Sequence, residues 1–239
     1  MDLIVKKSYD EANQYVAEVI IEEVKNNPNL VLGLPSGATV RGLYETLVRD
    51  HQENGTDYSG VTTFNLGEYV GLLKEDFYRT HTYYMDEYLF KHIRFKHSYV
   101  PKYNTNHPQE RAEKYGALYN ECVPEVMVLG LGTNGHIGFN EPGTPADSTT
   151  RLVRLAESTR VANAKYFASL DDVPTHAITL GLQDIMKAKK IYLIATGETK
   201  AEIVKKVMDS EVTADIPATI LKNHPNVTVV LDAEASSML

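Results

Sequence analysis

Short apolar runs alternate with stretches of helical spacing about five times along this chain, and that alternation restricts the fold more than any other feature. Leu30 to Leu34, Val61 to Asn65, Val126 to Leu131, Ile191 to Thr196 and Val227 to Leu231 read as buried strands. Between them the period changes. Ser8 and Glu11 form a capping box, after which Ala12, Tyr15, Val16, Val19, Ile20 and Val24 recur at helical spacing until Asn26-Asn27-Pro28. Further helices are expected over Val40 to His51, Thr80 to Ile93, Gln109 to Glu121 and from Gly197 to Met208. His176 to Met186 is apolar and interrupted by glycine, as an element beside a sheet would be. Strands separated by helices require crossovers, so the reading is an α/β fold with a parallel sheet covered on both faces. No repeat, low-complexity tract or linker divides residues 1–239, and a single domain is expected.

Composition narrows the partners. A formal net charge of -8 without a dense Lys/Arg run argues against nucleic acid or an anionic membrane as partner, and favours a small molecule. Cys122 is the only cysteine, so no internal disulfide forms. Met-Asp-Leu-Ile-Val-Lys-Lys lacks the apolar core of a signal peptide, and no stretch has about 18 consecutive apolar residues, so a soluble cytoplasmic protein is expected.

Chemistry concentrates between Val126 and Pro145. A strand there runs into a loop that carries Asn134, His136, Asn140 and Glu141 among five glycines. Groups able to exchange protons are thus held beyond the carboxyl end of a parallel strand, where ligands of open α/β sheets bind. Gly130, Gly132 and Gly135 also satisfy the dinucleotide fingerprint, but Pro142, Gly143 and Pro145 would break the required helix, and Arg151 to Leu155 lacks the acidic residue expected about 20 positions on. A tight loop with a structural histidine is the alternative.

Two other strand ends have the form of anion sites. Pro35-Ser36-Gly37-Ala38-Thr39 precedes a helix, the geometry in which free amides and the helix dipole receive a phosphate, although a plain turn would look the same. Lys200 stands at a second such junction. Asp147 to Pro174 has little periodicity and reads as a lid, about residues 147–175, from which Arg160 either reaches an anion or faces solvent. His81, His92 and His97 lack metal-ligand spacing and read as residues of a solvated helix face.

Taken together, Leu32 to Thr39, Phe64 to Leu72, Gly135 to Gly143, Thr159 to Asn163 and Gly197 to Lys200 resemble the glucosamine-6-phosphate deaminase family over nearly the entire chain. The resemblance implies a modified Rossmann-like α/β sheet and conversion of glucosamine 6-phosphate to fructose 6-phosphate and ammonia, with no metal or organic cofactor. It also assigns roles. His136 would move protons during ring opening, with Asn134 and Glu141 orienting it or relaying the proton. Ser36, Gly37, Ala38, Thr39, Arg160 and Lys200 would hold the 6-phosphate. Many family members have Asp at the position of Asn134. Longer members carry a C-terminal extension linked to hexamers and allosteric activation; an ending near Leu239 implies a non-allosteric form, a monomer or small homo-oligomer.

One departure stands out. Where the family has Asp followed by Glu, the Asp being the base that takes the C2 proton and returns it to C1, this chain has Gly67 before Glu68. Loss of a positioned base costs about 10²–10⁴-fold unless Glu68 or a water substitutes. The resemblance therefore leaves three functions open: a glucosamine-6-phosphate deaminase, a galactosamine-6-phosphate deaminase, and a phosphosugar-binding protein without turnover. The Arg160-Val161-Ala162-Asn163 segment favours the gluco substrate.

Overall fold

The computed structural model describes residues 1–239. An edge strand, β1 (Asp2–Val5), leads to α1 (Tyr9–Asn26). The cap is displaced from the expected box by one residue: Glu11 N donates to Ser8 Oγ at 3.2 Å, and Lys7 N donates to the Glu11 carboxylate at 3.1 Å. β2 (Val31–Leu34) passes through a 3-10 turn at Ala38–Val40 into α2 (Arg41–Asn54). β3 (Thr62–Asn65) is followed at once by β4 (Gly67–Val70), then by α3 (His81–Met85), which widens into a π turn over Asp86–Phe90. The chain continues through β5 (His97–Tyr99), α4 (Pro108–Glu121), β6 (Val126–Gly130), β7 (Arg151–Arg154) and α5 (Glu157–Asn163). It ends with β8 (His176–Thr179), α6 (Leu182–Ile185), β9 (Lys190–Ala195), α7 (Ala201–Asp209) and β10 (Val227–Leu231).

Seven strands form one parallel sheet in the order β1-β10-β9-β6-β2-β3-β5. Its strands are apolar on both faces, as burial from both sides demands. Met127, Leu129, Ile191, Leu193, Val229 and Leu231 pack with α4 and α7 on one side. Val126, Val128, Ile194, Val230 and Leu32 pack with α1 and α2 on the other. From the middle, β2 leads outward to β3 and β5, while β6 leads the opposite way to β9 and β10. The order reverses between β2 and β6, so the crevice at their carboxyl ends lies between the Pro35–Thr39 loop and the Gly132–Glu141 loop.

A second sheet, β4-β8-β7, is antiparallel and was not expected. It adds a strand, β7, to the stretch Asp147 to Pro174, where the only periodic segment is Thr159 to Phe167, and α5 overlaps that segment. β7 offers only Leu152 and Val153 between two arginines, too short an apolar signal for a strand, and it is paired along one edge alone. Phe139, Tyr69, Leu155 and Ala177 form a small core beneath it, with Phe167 packed against them.

Candidate active site

The first turn of the crevice is shaped by tyrosines. Gly37 has φ +125°, a region closed to side-chain-bearing residues, and it turns the chain from β2 into the 3-10 turn. Tyr84 Oη donates to Gly37 O at 2.7 Å, Tyr9 Oη donates to Ala38 O at 2.8 Å, and Tyr44 Oη donates to Pro35 O. The carbonyls are thereby held on one side. The amides of Ser36, Gly37, Ala38 and Thr39 donate to nothing in the chain, and the first to find a partner is Val40 N, bonded to Gly37 O at 3.2 Å. Four free donors at a helix start make an anion cradle.

Across the switch point, β6 delivers His136. Asn134 Nδ2 donates to Glu141 Oε2 at 2.8 Å, which turns Asn134 Oδ1 toward the histidine. That oxygen lies 3.1 Å from His136 N and 2.7 Å from Nδ1, so Nδ1 carries the proton and Nε2 is left as the basic nitrogen. Glu141 Oε2 is 3.5 Å from Nδ1. Thr159 Oγ1, from α5, donates to Glu141 Oε1 at 2.5 Å. Burial alone would raise the Glu141 carboxyl, but the hydrogen bonding and charge of His136, with bonds from Thr159 and Asn134, hold it at about 2. It is therefore an anion at neutral pH. A Cβ on Gly132 would sit 2.3 Å from the His136 ring, so this loop closes only around glycine there.

The third contributor follows β9. Lys200 Nζ donates to Leu131 O at 2.6 Å, which places its ammonium at the end of β6. Burial, then the charge of Lys165, lowers its pKa. The turn itself repeats the first one: Gly197 has φ +89° and precedes a 3-10 turn, Glu198–Lys200, and a helix. Here the amide is not free. Gly197 N donates to both carboxylate oxygens of Asp232, at 3.1 and 3.0 Å. The glycine amide is thus free in the first turn and taken by Asp232 in the second.

One expectation is corrected. Glu68 does not stand in for a base: it is fully buried, and its carboxylate accepts from Tyr69 N (2.8 Å), His81 N (3.0 Å), Thr82 N (2.7 Å) and Thr82 Oγ1 (2.8 Å). It caps α3, an anion at a helix start, and swinging free would strand buried amides. Arg160 is partly engaged within its own segment: Nη2 donates to Leu170 O at 2.8 Å and Val173 O at 3.1 Å, and Nε donates to Val173 O at 3.3 Å. Its charge clips the segment after α5 to itself.

Gly67 lies in β4 opposite Thr179. A Cβ there would stand 2.5 Å from Ile178 O and 3.0 Å from Phe139 Cδ2. The neighbour on its carbonyl is His81, whose Nδ1 is 3.1 Å from Gly67 O. Sequence reasoning placed His81 on a solvated face; nothing in its spacing shows that α3 starts beside β4. Thr159 enters the sequence reading only as the start of the Thr159 to Asn163 stretch and without a role, because nothing in the sequence links it to Glu141, 18 residues away. No group of three or more His, Cys, Asp or Glu side chains is placed to hold a metal ion.

Comparison with known proteins places this geometry. Residues 5–230 match the family described as glucosamine-6-phosphate isomerases/6-phosphogluconolactonase. A glucosamine-6-phosphate deaminase of Geobacillus sp. is 44% identical over 242 residues, covering 100% of this chain and 96% of that protein. One from Clostridium perfringens is 45% identical with 100% of both chains covered. The solved structure of a monomeric glucosamine-6-phosphate deaminase superposes with a TM-score of 0.96 at 38% identity, covering 100% of each chain. The 6-phosphogluconolactonase of Trypanosoma brucei shares the fold at a TM-score of 0.79 and 20% identity, covering 100% of this chain and 98% of that one. With its switch-point crevice, amide cradle and oriented imidazole, the chain belongs to the glucosamine-6-phosphate isomerase/6-phosphogluconolactonase family.

Proposed function

We propose that this protein is an aldose-ketose isomerase and deaminase that converts glucosamine 6-phosphate to fructose 6-phosphate and ammonia. The observation that carries the reading is the locked imidazole: His136 presents Nε2 because Asn134 and Glu141 fix the proton on Nδ1. A base oriented in this way suits proton transfer to and from the ring oxygen and O1 as a pyranose opens. The amides of Ser36 to Thr39 and the ammonium of Lys200 supply an anchor for the far end of a sugar phosphate, which sets the reducing end against the imidazole. Arg160 can join that anchor through Nη1, since only its Nε and Nη2 are engaged by the Leu170 and Val173 carbonyls, which ties the segment after α5 to the bound phosphate. The deaminase relatives that align with this chain end to end support the same activity. The monomeric structural relative supports a monomer here.

Ammonia and fructose 6-phosphate formation from glucosamine 6-phosphate and from galactosamine 6-phosphate is the test. The gluco substrate should be turned over faster, and His136→Ala should leave fructose 6-phosphate binding within about threefold while lowering kcat by about 10²-fold or more. Equal kcat in that variant would remove His136 from the mechanism. Binding of both sugars by the native chain without ammonia release would favour a phosphosugar-binding protein.

A further inference from the structure

Gly67 removes the acid that the family reaction uses to move a proton between C2 and C1, and Glu68 cannot replace it. We propose that His81 is the general base of that step, acting through Nε2.

Four observations carry this. The first is position: the imidazole is hydrogen-bonded to Gly67 itself, Nδ1 to carbonyl oxygen, at 3.1 Å. The second is protonation. A carbonyl only accepts, so Nδ1 carries the hydrogen, and Nε2 of the half-buried ring keeps its lone pair with no hydrogen-bond partner in the chain. The third is rigidity. The ring stacks on Phe139 with centroids 5.5 Å apart and planes at 15°, and it meets Tyr69 at 4.8 Å. Phe139 belongs to the loop that carries His136, so one aromatic ring ties the two histidines to the same wall of the crevice. Three bonds from His81 N, Thr82 N and Thr82 Oγ1 to the Glu68 carboxylate hold the start of α3 against β4, which fixes where the imidazole begins. The fourth is shelter: Phe167, from the segment after α5, packs edge-on against Tyr69 at 6.0 Å and extends the aromatic cluster around the imidazole.

The step balances without any other reagent. In the open-chain substrate, Nε2 takes the C2 hydrogen as a proton. The C–H pair forms the C1=C2 double bond, and the carbonyl O1 takes a proton from the imidazolium form of His136. The resulting enolamine then receives the proton from Nε2 of His81 at C1, O1 keeps its hydrogen as the C1 hydroxyl, and the nitrogen lone pair forms an iminium at C2 that water converts to the ketone, releasing ammonia and the proton that returns to His136.

The proposal rests on the deaminase reading, and one experiment separates the two. Fructose 6-phosphate with ammonium in deuterium oxide should gain deuterium at C1 in the presence of the native chain. His81→Asn, whose amide can still donate to Gly67 O, should lose that exchange and ammonia release by about 10²-fold or more, with fructose 6-phosphate affinity within about threefold of native. Since a truncation could disturb the aromatic cluster, His81→Ala is the second variant; added imidazole should restore part of its exchange, which a packing role would not produce. Full exchange in His81→Asn, or no response of His81→Ala to imidazole, overturns the role of His81 and leaves the deaminase reading intact. Binding without exchange in the native chain overturns both the base and the turnover, and absence of fructose 6-phosphate binding overturns the site itself.

Discussion

Lys200 and Glu141 occupy opposite electrostatic situations within one crevice, and each gives a measurable consequence. Burial withdraws water from the Lys200 ammonium and lowers its pKa, so a bound phosphate dianion restores the stabilisation that solvent no longer provides. Lys200→Met should raise KM for glucosamine 6-phosphate by about 10- to 100-fold, the worth of a charge-assisted hydrogen bond of about 1.5–3 kcal/mol. In the native protein, phosphosugar affinity should fall as pH rises through the depressed Lys200 pKa, earlier than an ordinary lysine would cause. For Glu141 the sign is reversed. Its folded-state pKa of about 2 lies below the ordinary carboxylate value, so its contribution to stability is complete above about pH 4.3 and is lost as pH falls toward 2. Thermal melts of Glu141→Gln should therefore show a shallower decline than native over that acid window; parallel declines would mean that the carboxylate network carries no stability.

At the level of elements, β4 and the segment after α5 decide what the crevice can become. A side chain at position 67 meets a backbone oxygen of β8 at 2.5 Å, and a backbone atom cannot rotate out of the way as a side chain does. Gly67→Ala should destabilise by about 1–3 kcal/mol, read as a lower melting temperature. Gly67→Asp carries the same strain, so an acid restored there must also part β4 from β8. Arg160→Ala should release the carbonyls of Leu170 and Val173, giving faster amide exchange around residues 170–173 and weaker phosphosugar binding together. Binding unaffected by that change would separate the clip from the ligand. These elements were the least legible in the sequence. β4 follows β3 after one residue, and its Gly-Glu-Tyr-Val looks like a continuing loop, while β7 has only two apolar residues. Their pairing is non-local, set by β8 more than 100 residues after β4, and no window along the chain contains it.

The whole molecule was legible where local pattern and global packing agree. Strands apolar on both faces, capped helices and crossover spacing fix a parallel sheet, and the sheet order then sets the loops after β2, β6 and β9 side by side. What pattern could not supply is hydrogen-bond allocation: that Glu68 is consumed by α3, that Arg160 is held by carbonyls and that His81 leans on Gly67 all depend on contacts between distant segments. Sedimentation of the native chain should show a mass near 26.7 kDa at every concentration used in the kinetic assays, as a monomer requires. The turn after β9 is a copy of the turn after β2 stoppered from within, because Asp232 sets its carboxylate on the Gly197 amide and also receives Ala235 N at 2.8 Å. The fold thus already shows one carboxylate received by the glycine amide of such a turn, so Asp232→Asn should weaken that internal contact and leave the Gly37 amide as it is.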